Sequence, residues 1–171
     1  MCIRDRPYSN VVASSLKLDD ELWHSHSIEI RRAHECAHMF TLNHYGKMEH
    51  HIFDELVADY VGITSILGVF DLTWFLHFMG LEKYPDYRKG GRFQNYVPNL
   101  SDESRKMLQS ILVRASGNLE KFDSKLGIPN NSKCKRNRIK SLCETSLLVL
   151  ASDDGLRVLL EKYESFQESF V

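Results

Sequence analysis

The sequence has few cysteines, almost no excess of charge of either sign and no long uninterrupted apolar run. Four cysteines among 171 residues, with no Cys-x-x-Cys pair, are too few for a disulfide framework in a chain of this length. Lys and Arg number 22 against 23 Asp and Glu, which excludes a generally basic nucleic-acid-binding protein. We therefore expect reduced thiols, a cytoplasmic location and no nucleic-acid partner.

The most apolar stretch, residues 61–79, is interrupted by Asp71 and His77. A membrane-spanning helix requires about 20 mostly apolar residues, so we expect no membrane span. Residues 1–6 are followed by no apolar segment and therefore do not begin a secretory signal. Their sequence is typical of a non-native translated start, and we expect the natural chain to begin upstream of them.

The spacing of apolar residues predicts a mostly α protein with little or no sheet. We expect one helical domain over residues 7–128, which holds the metal site, and a C-terminal helical hairpin over 129–171 packed on it. Ser27 is the predicted cap of the first long helix. The predicted helices cover residues 28–45, 51–67, 71–79, 102–126, 139–151 and about 156–170.

Seven of the eight histidines lie between His24 and His51. In this window residues 34–38 read His-Glu-Cys-Ala-His, a His-Glu-x-x-His motif inside a predicted helix. His34 and His38 are four residues apart, so both imidazoles lie on one helical face and can bind one metal ion. Glu35 is turned by about 100° and lies beside the metal, where it can accept a proton from metal-bound water. The motif predicts one zinc ion with Glu35 as general base.

A catalytic zinc site has three protein ligands besides water, and two residues compete for the third position. We favour Glu55, because an antiparallel second helix brings it back to the level of His38. Asp59, one turn further on, would then accept a hydrogen bond from a ligand histidine. His44 is the alternative, since it falls on the third histidine of the metzincin pattern. However, Thr41 replaces the helix-ending glycine of that pattern, and His44 would face away from the metal.

The His-Glu-x-x-His motif followed by Glu-x-x-Ala-Asp at residues 55–59 resembles the gluzincin zinc metallopeptidases. The resemblance covers residues 28–62; the short spacing is similar to that of thermolysin-like enzymes, and the second motif to that of the integral-membrane prenyl-protein proteases. It implies a hydrolase acting on peptide bonds, with a peptide or protein as substrate. The implied roles are ligand for His34, His38 and Glu55, general base for Glu35 and support of a ligand for Asp59.

Three residues are candidates to donate a hydrogen bond to the oxyanion of the tetrahedral intermediate, namely Tyr60, Arg92 and Tyr96. Arg92 and Tyr96 follow Gly90 and Gly91 in a long loop over residues 81–99, which could close over a cleft. A loop packed in place by its aromatic residues is the alternative.

Three other interpretations of the motif stay open. Gluzincins align an extended substrate on an edge strand, and we see no convincing strand upstream of residue 34, so the substrate could be a non-peptide. Glu21 and His24 form a second Glu-x-x-His, which would allow a di-iron site if the helix broke between His24 and His38. Finally, the motif could be inert in a helical binding module that uses the basic residues of segment 133–140.

Overall fold

The computed structural model describes residues 6–46 and 51–168. These ranges contain seven α-helices and no strand, which confirms the mostly α fold. The helices are α1 (Asp20–Tyr45), α2 (His51–Leu67), α3 (Leu72–Met79), α4 (Asp102–Leu126), α5 (Ser132–Cys143), α6 (Leu147–Leu150) and α7 (Gly155–Glu168). Within the described ranges, no helix combines the length and the apolar character needed to cross a bilayer.

The bounds of α2 and α4 agree with the prediction, but α1 begins eight residues earlier than predicted. The cap of α1 is Asp19, whose carboxylate accepts a hydrogen bond from the backbone N–H of Leu22. Ser27 is buried in the middle of the helix and accepts a hydrogen bond from the backbone N–H of Tyr8. The prediction of Ser27 as the cap was therefore wrong, because its hydroxyl serves a tertiary contact.

The predicted helix over residues 139–151 was also wrong. Asn131 caps α5 by accepting from the N–H of Cys134, so this helix already begins at Ser132. A turn follows at residues 144–146, and Ser146 caps the short helix α6 by accepting from Val149. Two local caps thus divide one apparent apolar pattern into two helices.

Helices α1 and α2 form an antiparallel pair, and this pair builds the candidate site. The register is visible in three successive contacts, in which Ile30 meets Gly62, His34 meets Asp59, and His38 meets Asp54. A Cβ atom on Gly62 would lie 2.9 Å from Cγ2 of Ile30, so glycine allows the helices to approach closely here. The close approach brings the polar residues one and two turns further along into contact.

One continuous core joins the N-terminal segment to the C-terminal helices. The segment before α1 forms short 3-10 turns, and Tyr8 packs edge-on against Phe78 of α3. At the other end, Tyr163 of α7 packs against Phe122 of α4. The domain boundary at 128/129 stays a prediction, since residues on both sides share this core. The predicted non-native start at residues 1–6 lies outside the described residues except for residue 6.

A buried ion pair ties α2, α4 and α5 together on the side away from the candidate site. The carboxylate of Asp123 accepts hydrogen bonds from Tyr60 at 2.9 Å, from the N–H of Phe70 at 2.8 Å and from Arg138 at 2.9 Å. Arg138 also donates to the carbonyl oxygen of Gly127. Arg138 therefore belongs to the packing of the protein and not to a solvated basic face, which weakens the interpretation of segment 133–140 as a nucleic-acid contact.

Candidate metal centre

Three predicted ligands converge on one point between α1 and α2. Nε2 of His34 lies 3.0 Å from Nε2 of His38, and the carboxylate oxygens of Glu55 lie 3.5 Å from the first nitrogen and 3.7 Å from the second. His34 is buried, while His38 and Glu55 are partly exposed. The helix spacing in α1 and the antiparallel register of α2 thus bring together the three residues that the sequence indicates.

These separations fit a zinc ion. Tetrahedral zinc with ligand bonds of about 2.0–2.1 Å holds its ligand atoms about 3.3 Å from one another. The two nitrogen atoms are 3.0 Å apart, each has a different oxygen of Glu55 at 3.5 or 3.7 Å, and one ligand atom from each residue lies within 4.8 Å of the others. Two imidazoles and one carboxylate also form a ligand set that leaves the fourth position to water in catalytic zinc sites.

The second nitrogen of His34 is held by a buried network. Nδ1 lies 2.7 Å from the hydroxyl of Tyr8 and 3.0 Å from Oδ1 of Asp59. The Tyr8 hydroxyl donates to Asp59 at 2.7 Å and accepts from Nη1 of Arg92 at 2.8 Å. Because the hydroxyl of Tyr8 donates its proton to Asp59, it cannot also donate to Nδ1 of His34. Nδ1 of His34 is therefore assigned as the protonated nitrogen, which donates a hydrogen bond to these groups. Nε2 of His34 is then an unprotonated acceptor in the neutral ring.

Asp59 is fully buried and is the centre of this network. Burial alone would raise the pKa of Asp59, but the charge of Arg92 and the hydrogen bonds from His34 and Tyr8 outweigh that effect and lower it. Nη2 of Arg92 donates to Oδ2 of Asp59 and also lies 3.6 Å from Glu55. Asp59 is therefore a carboxylate that can only accept, which fits the predicted support of a ligand histidine.

His38 is held in the same way by a different carboxylate. Its Nδ1 lies 2.8 Å from Oδ2 of Asp54, whose other oxygen accepts from the hydroxyl of Thr41 at 2.9 Å. Burial would raise the pKa of Asp54, but the hydrogen bonds from His38 and Thr41 lower it. The hydrogen bond to Asp54 raises the pKa of His38, against the opposing effect of burial. Asp54 thus directs the proton of the neutral His38 ring to Nδ1.

With both rings neutral and both Nδ1 atoms protonated, the two Nε2 atoms are unprotonated and face the same point. The two Nε2 atoms are 3.0 Å apart with the carboxylate of Glu55 beside them, so either a shared proton or a cation can occupy the point between them. A metal ion there would use all three groups as ligands. The donor set, its geometry and its hydrogen-bonded support therefore agree on a cation site.

Glu35 lies one residue after His34 and is exposed to solvent. Its negative charge is among the influences that raise the pKa of His38, so the carboxylate lies near the converging ligands without belonging to them. A solvent-exposed carboxylate beside a metal site can exchange protons with water, as a general base requires.

The three predicted oxyanion donors have different surroundings. The hydroxyl of Tyr60 donates to Asp123, so the structure does not bring it to the candidate ligands. Arg92 donates hydrogen bonds to Tyr8 and Asp59, the two groups that contact Nδ1 of His34. These bonds hold its guanidinium group in place beside the candidate site. Tyr96 is half-buried beside Glu55, and burial together with the charge of Glu55 raises its pKa. Arg92 and Tyr96 thus both lie beside Glu55, and the role of Tyr96 as an oxyanion donor stays a prediction.

The alternative ligands are not at the site. His44 is exposed, its ring stacks on Phe40, and its Nδ1 faces the carbonyl oxygen of Phe40 at 3.1 Å. Helix α1 runs without a break from residue 20 to residue 45, which places His24 about 21 Å along the axis from His38. Neither the metzincin-like ligand nor the di-iron pair therefore joins the described cluster.

Sequence reasoning missed Tyr8 and Asp54. Tyr8 lies 26 residues before His34, in a segment with little periodicity, so no local pattern connects the two. Asp54 lies directly before Glu55 in the sequence, and its spacing to Asp59 does not place the two carboxylates on one helical face. The sequence pattern therefore indicated no role for Asp54. The one available signal was that Asp54 and Glu55 are adjacent carboxylates at the start of α2, opposite two histidines of α1.

A cavity of about 870 Å³ opens beside the candidate ligands. Asp54, Glu55 and Tyr96 lie in its wall nearest the site. The rest of the wall is mainly aliphatic and comes from α4, from α6 and from the loop before α4. The candidate metal centre therefore adjoins a space large enough for a small organic molecule.

Fold and site together define an all-α protein with a candidate metal centre between two antiparallel helices. Residues 1–154 match a family described as a family of unknown function (DUF7005), and the chain belongs to this family. No curated protein and no solved structure matches the chain.

Proposed function

We propose that this protein is a zinc-dependent hydrolase of the metallopeptidase type. The observation that carries the proposal is the convergence of His34, His38 and Glu55, with both Nδ1 atoms bound to carboxylates and both Nε2 atoms directed at one point. The resemblance of the two motifs to gluzincin peptidases favours zinc as the metal and an amide bond as the target.

In the proposed reaction each residue has a separate task. His34, His38 and Glu55 would hold the zinc ion, which would supply a Lewis acid for the attacking water and the substrate carbonyl. Glu35 accepts a proton from the attacking water and then donates it to the leaving amine. Tyr96, beside Glu55, is placed to donate to the carbonyl oxygen as negative charge develops on it. Asp54 and Asp59 hold the histidine rings through Nδ1.

A non-peptide amide is the second candidate substrate, and one observation favours it. Peptidases of the gluzincin type align an extended peptide on the edge of a sheet, and the residues described contain no strand. A substrate recognised by a cavity needs no such edge.

Metal analysis of the purified protein is the first test. We expect one zinc per chain in the wild type, a substoichiometric content in His34→Ala and Glu55→Ala, and an unchanged content in His44→Ala. The His44 variant is the matched control because this histidine lies on the same helix outside the cluster. A wild-type protein without stoichiometric metal would end the proposal.

The second test separates metal binding from hydrolysis. We expect Glu35→Gln to keep its zinc and to lose about 10²–10⁴-fold in turnover of the best substrate from casein, a peptide library and simple amides. Turnover of the simple amides without turnover of any peptide would favour the second candidate. Equal turnover by Glu35→Gln and wild type would contradict the role of Glu35 and favour an inert motif.

A further inference from the structure

We infer that the cavity beside the metal centre binds the apolar chain of an uncharged amide substrate, so that the chain length of the acyl group sets the specificity. This inference rests on the proposed function, because it places the scissile carbonyl at the metal. It goes further in naming a neutral aliphatic amide, and not an extended polypeptide, as the substrate class.

The wall of the cavity supplies the first argument. Its aliphatic lining comes from Ile52 of α2, Leu108 and Ile111 of α4, Leu147 and Leu148 of α6, and Leu100 of the preceding loop. At about 870 Å³ the cavity lies within the range of small-molecule sites, which are mostly apolar with a few polar groups that fix orientation. Among the polar groups of the wall, Glu55 and Tyr96 lie at the candidate metal centre.

The charges in the cavity wall favour a neutral substrate. The acidic groups of the wall are Asp54 and Glu55, and among the residues described no Lys or Arg lines the cavity. Asp54 is already paired with His38 and Thr41, and Glu55 is a metal ligand in the proposed site. His51, Asn95, Asn99 and Ser146 also line the cavity and can form hydrogen bonds, but with two carboxylates and no Lys or Arg in the wall a neutral chain is favoured over a free carboxylate or phosphate.

The cavity can accommodate the alkyl chain of an amide and its carbonyl group at the same time. An amide whose chain lies along Leu108 and Leu147 has its carbonyl at the end near Glu55 and Tyr96. Hydrolysis then breaks the C–N bond, forms a C–O bond from water and passes a proton to the leaving amine, giving a carboxylic acid and an amine. The helical architecture needs no main-chain alignment for this substrate, since the chain itself provides the contact area.

The experiment measures the binding of acetamide, butanamide, hexanamide and octanamide by calorimetry, to metal-free and to zinc-loaded protein. We expect the affinity to rise by about fourfold for each added methylene group in both forms, because the chain contacts protein side chains and not the metal. Two variants, Leu108→Asn and Leu100→Asn, should weaken octanamide binding by about tenfold while acetamide binding stays unchanged. Leu100 is partly exposed in a loop, so its substitution avoids a failure to fold.

Met107→Asn is the matched control, since Met107 is the neighbour of Leu108 on α4 but is exposed and outside this cavity. Release of ammonia from the same four amides by the zinc-loaded protein separates the two proposals. Chain-length-dependent binding without ammonia release contradicts hydrolysis of these amides and leaves the assignment of the cavity standing. Binding or ammonia release that is independent of chain length, or equal effects of the Leu108 and Met107 substitutions, overturns this inference.

Discussion

The hydroxyl of Tyr8 lies 2.7 Å from Nδ1 of His34, across 26 residues of sequence. This contact places a residue of the N-terminal segment directly behind a candidate metal ligand. Because the same hydroxyl accepts from Arg92 and donates to Asp59, it joins three parts of the chain at one atom. The orientation of His34 thus depends on segments far from the His-Glu-x-x-His motif.

Tyr8→Phe removes the hydroxyl while keeping the ring against Phe78. We expect the zinc affinity to fall by about 10–100-fold, the usual effect of losing a group that orients a ligand histidine. Competition with a chelator of known affinity measures the change. Tyr84→Phe is the control, because Tyr84 is exposed in the loop after α3. Equal zinc affinity in Tyr8→Phe and wild type would show that Asp59 alone orients His34.

Asp54→Asn tests the corresponding support of His38. An amide in place of the carboxylate weakens the hydrogen bond from Nδ1, so we expect a loss of zinc affinity of about 10–100-fold. The same chelator competition measures it, with the exposed Asp86→Asn as the matched substitution. If Asp54→Asn left the affinity intact while Asp59→Asn reduced it, only His34 would need a carboxylate partner.

Metal removal should lower the stability of the folded protein. The ligands come from two helices, so zinc that binds only the folded state adds about 2.7 kcal/mol at a free concentration 100 times the Kd. Thermal unfolding with zinc and with a chelator measures this as a shift in Tm. His34→Ala should abolish the shift, whereas His44→Ala should keep it. An equal Tm of the wild type with zinc and with the chelator would contradict a zinc site between α1 and α2.

Gly91→Ala tests how the loop delivers Arg92 to the site. A Cβ atom at residue 91 would lie 2.6 Å from Cα of Gly80 and 2.7 Å from the carbonyl oxygen of Met79, so the loop must move. We expect a loss of about 1–3 kcal/mol in the free energy of unfolding, together with weaker zinc binding. Denaturant titration measures the stability.

Gly117→Ala is the control for this substitution and should act in the opposite direction. Gly117 is inside α4 and a Cβ atom there would meet nothing within 4 Å. Alanine should therefore raise the free energy of unfolding by about 0.5–1 kcal/mol, through the better helix propensity. A similar loss of stability in both variants would argue that the Gly80–Gly91 contact has no special role.

Asp123→Leu should destabilise the protein without affecting zinc. It leaves the buried Arg138 without its carboxylate, which typically costs about 3–5 kcal/mol. Arg136→Ala, on the exposed side of the same helix α5, should change the free energy of unfolding by less than about 0.5 kcal/mol. Denaturant titration compares the two, and a small effect of Asp123→Leu would mean that the ion pair is dispensable.

The sequence by itself determined the helical class, the bounds of α2 and α4, and the three converging residues. These properties follow from local rules, because helical periodicity and a spacing of four residues fix which side chains share a face. Few residues separate the end of α1 at Tyr45 from the start of α2 at His51, so an antiparallel return of Glu55 could also be predicted from chain length.

Only the tertiary structure decided what supports the site and what does not belong to it. Tyr8 and Arg92 meet at Asp59 through contacts across 51 and 33 residues, and no local pattern encodes such distances. Tyr60 and Arg138 donate hydrogen bonds to Asp123 because a buried carboxylate requires hydrogen-bond donors. The sequence alone does not show that Asp123 is buried. Local spacing thus brings the candidate ligands together, while the packing of distant segments decides which groups contact them.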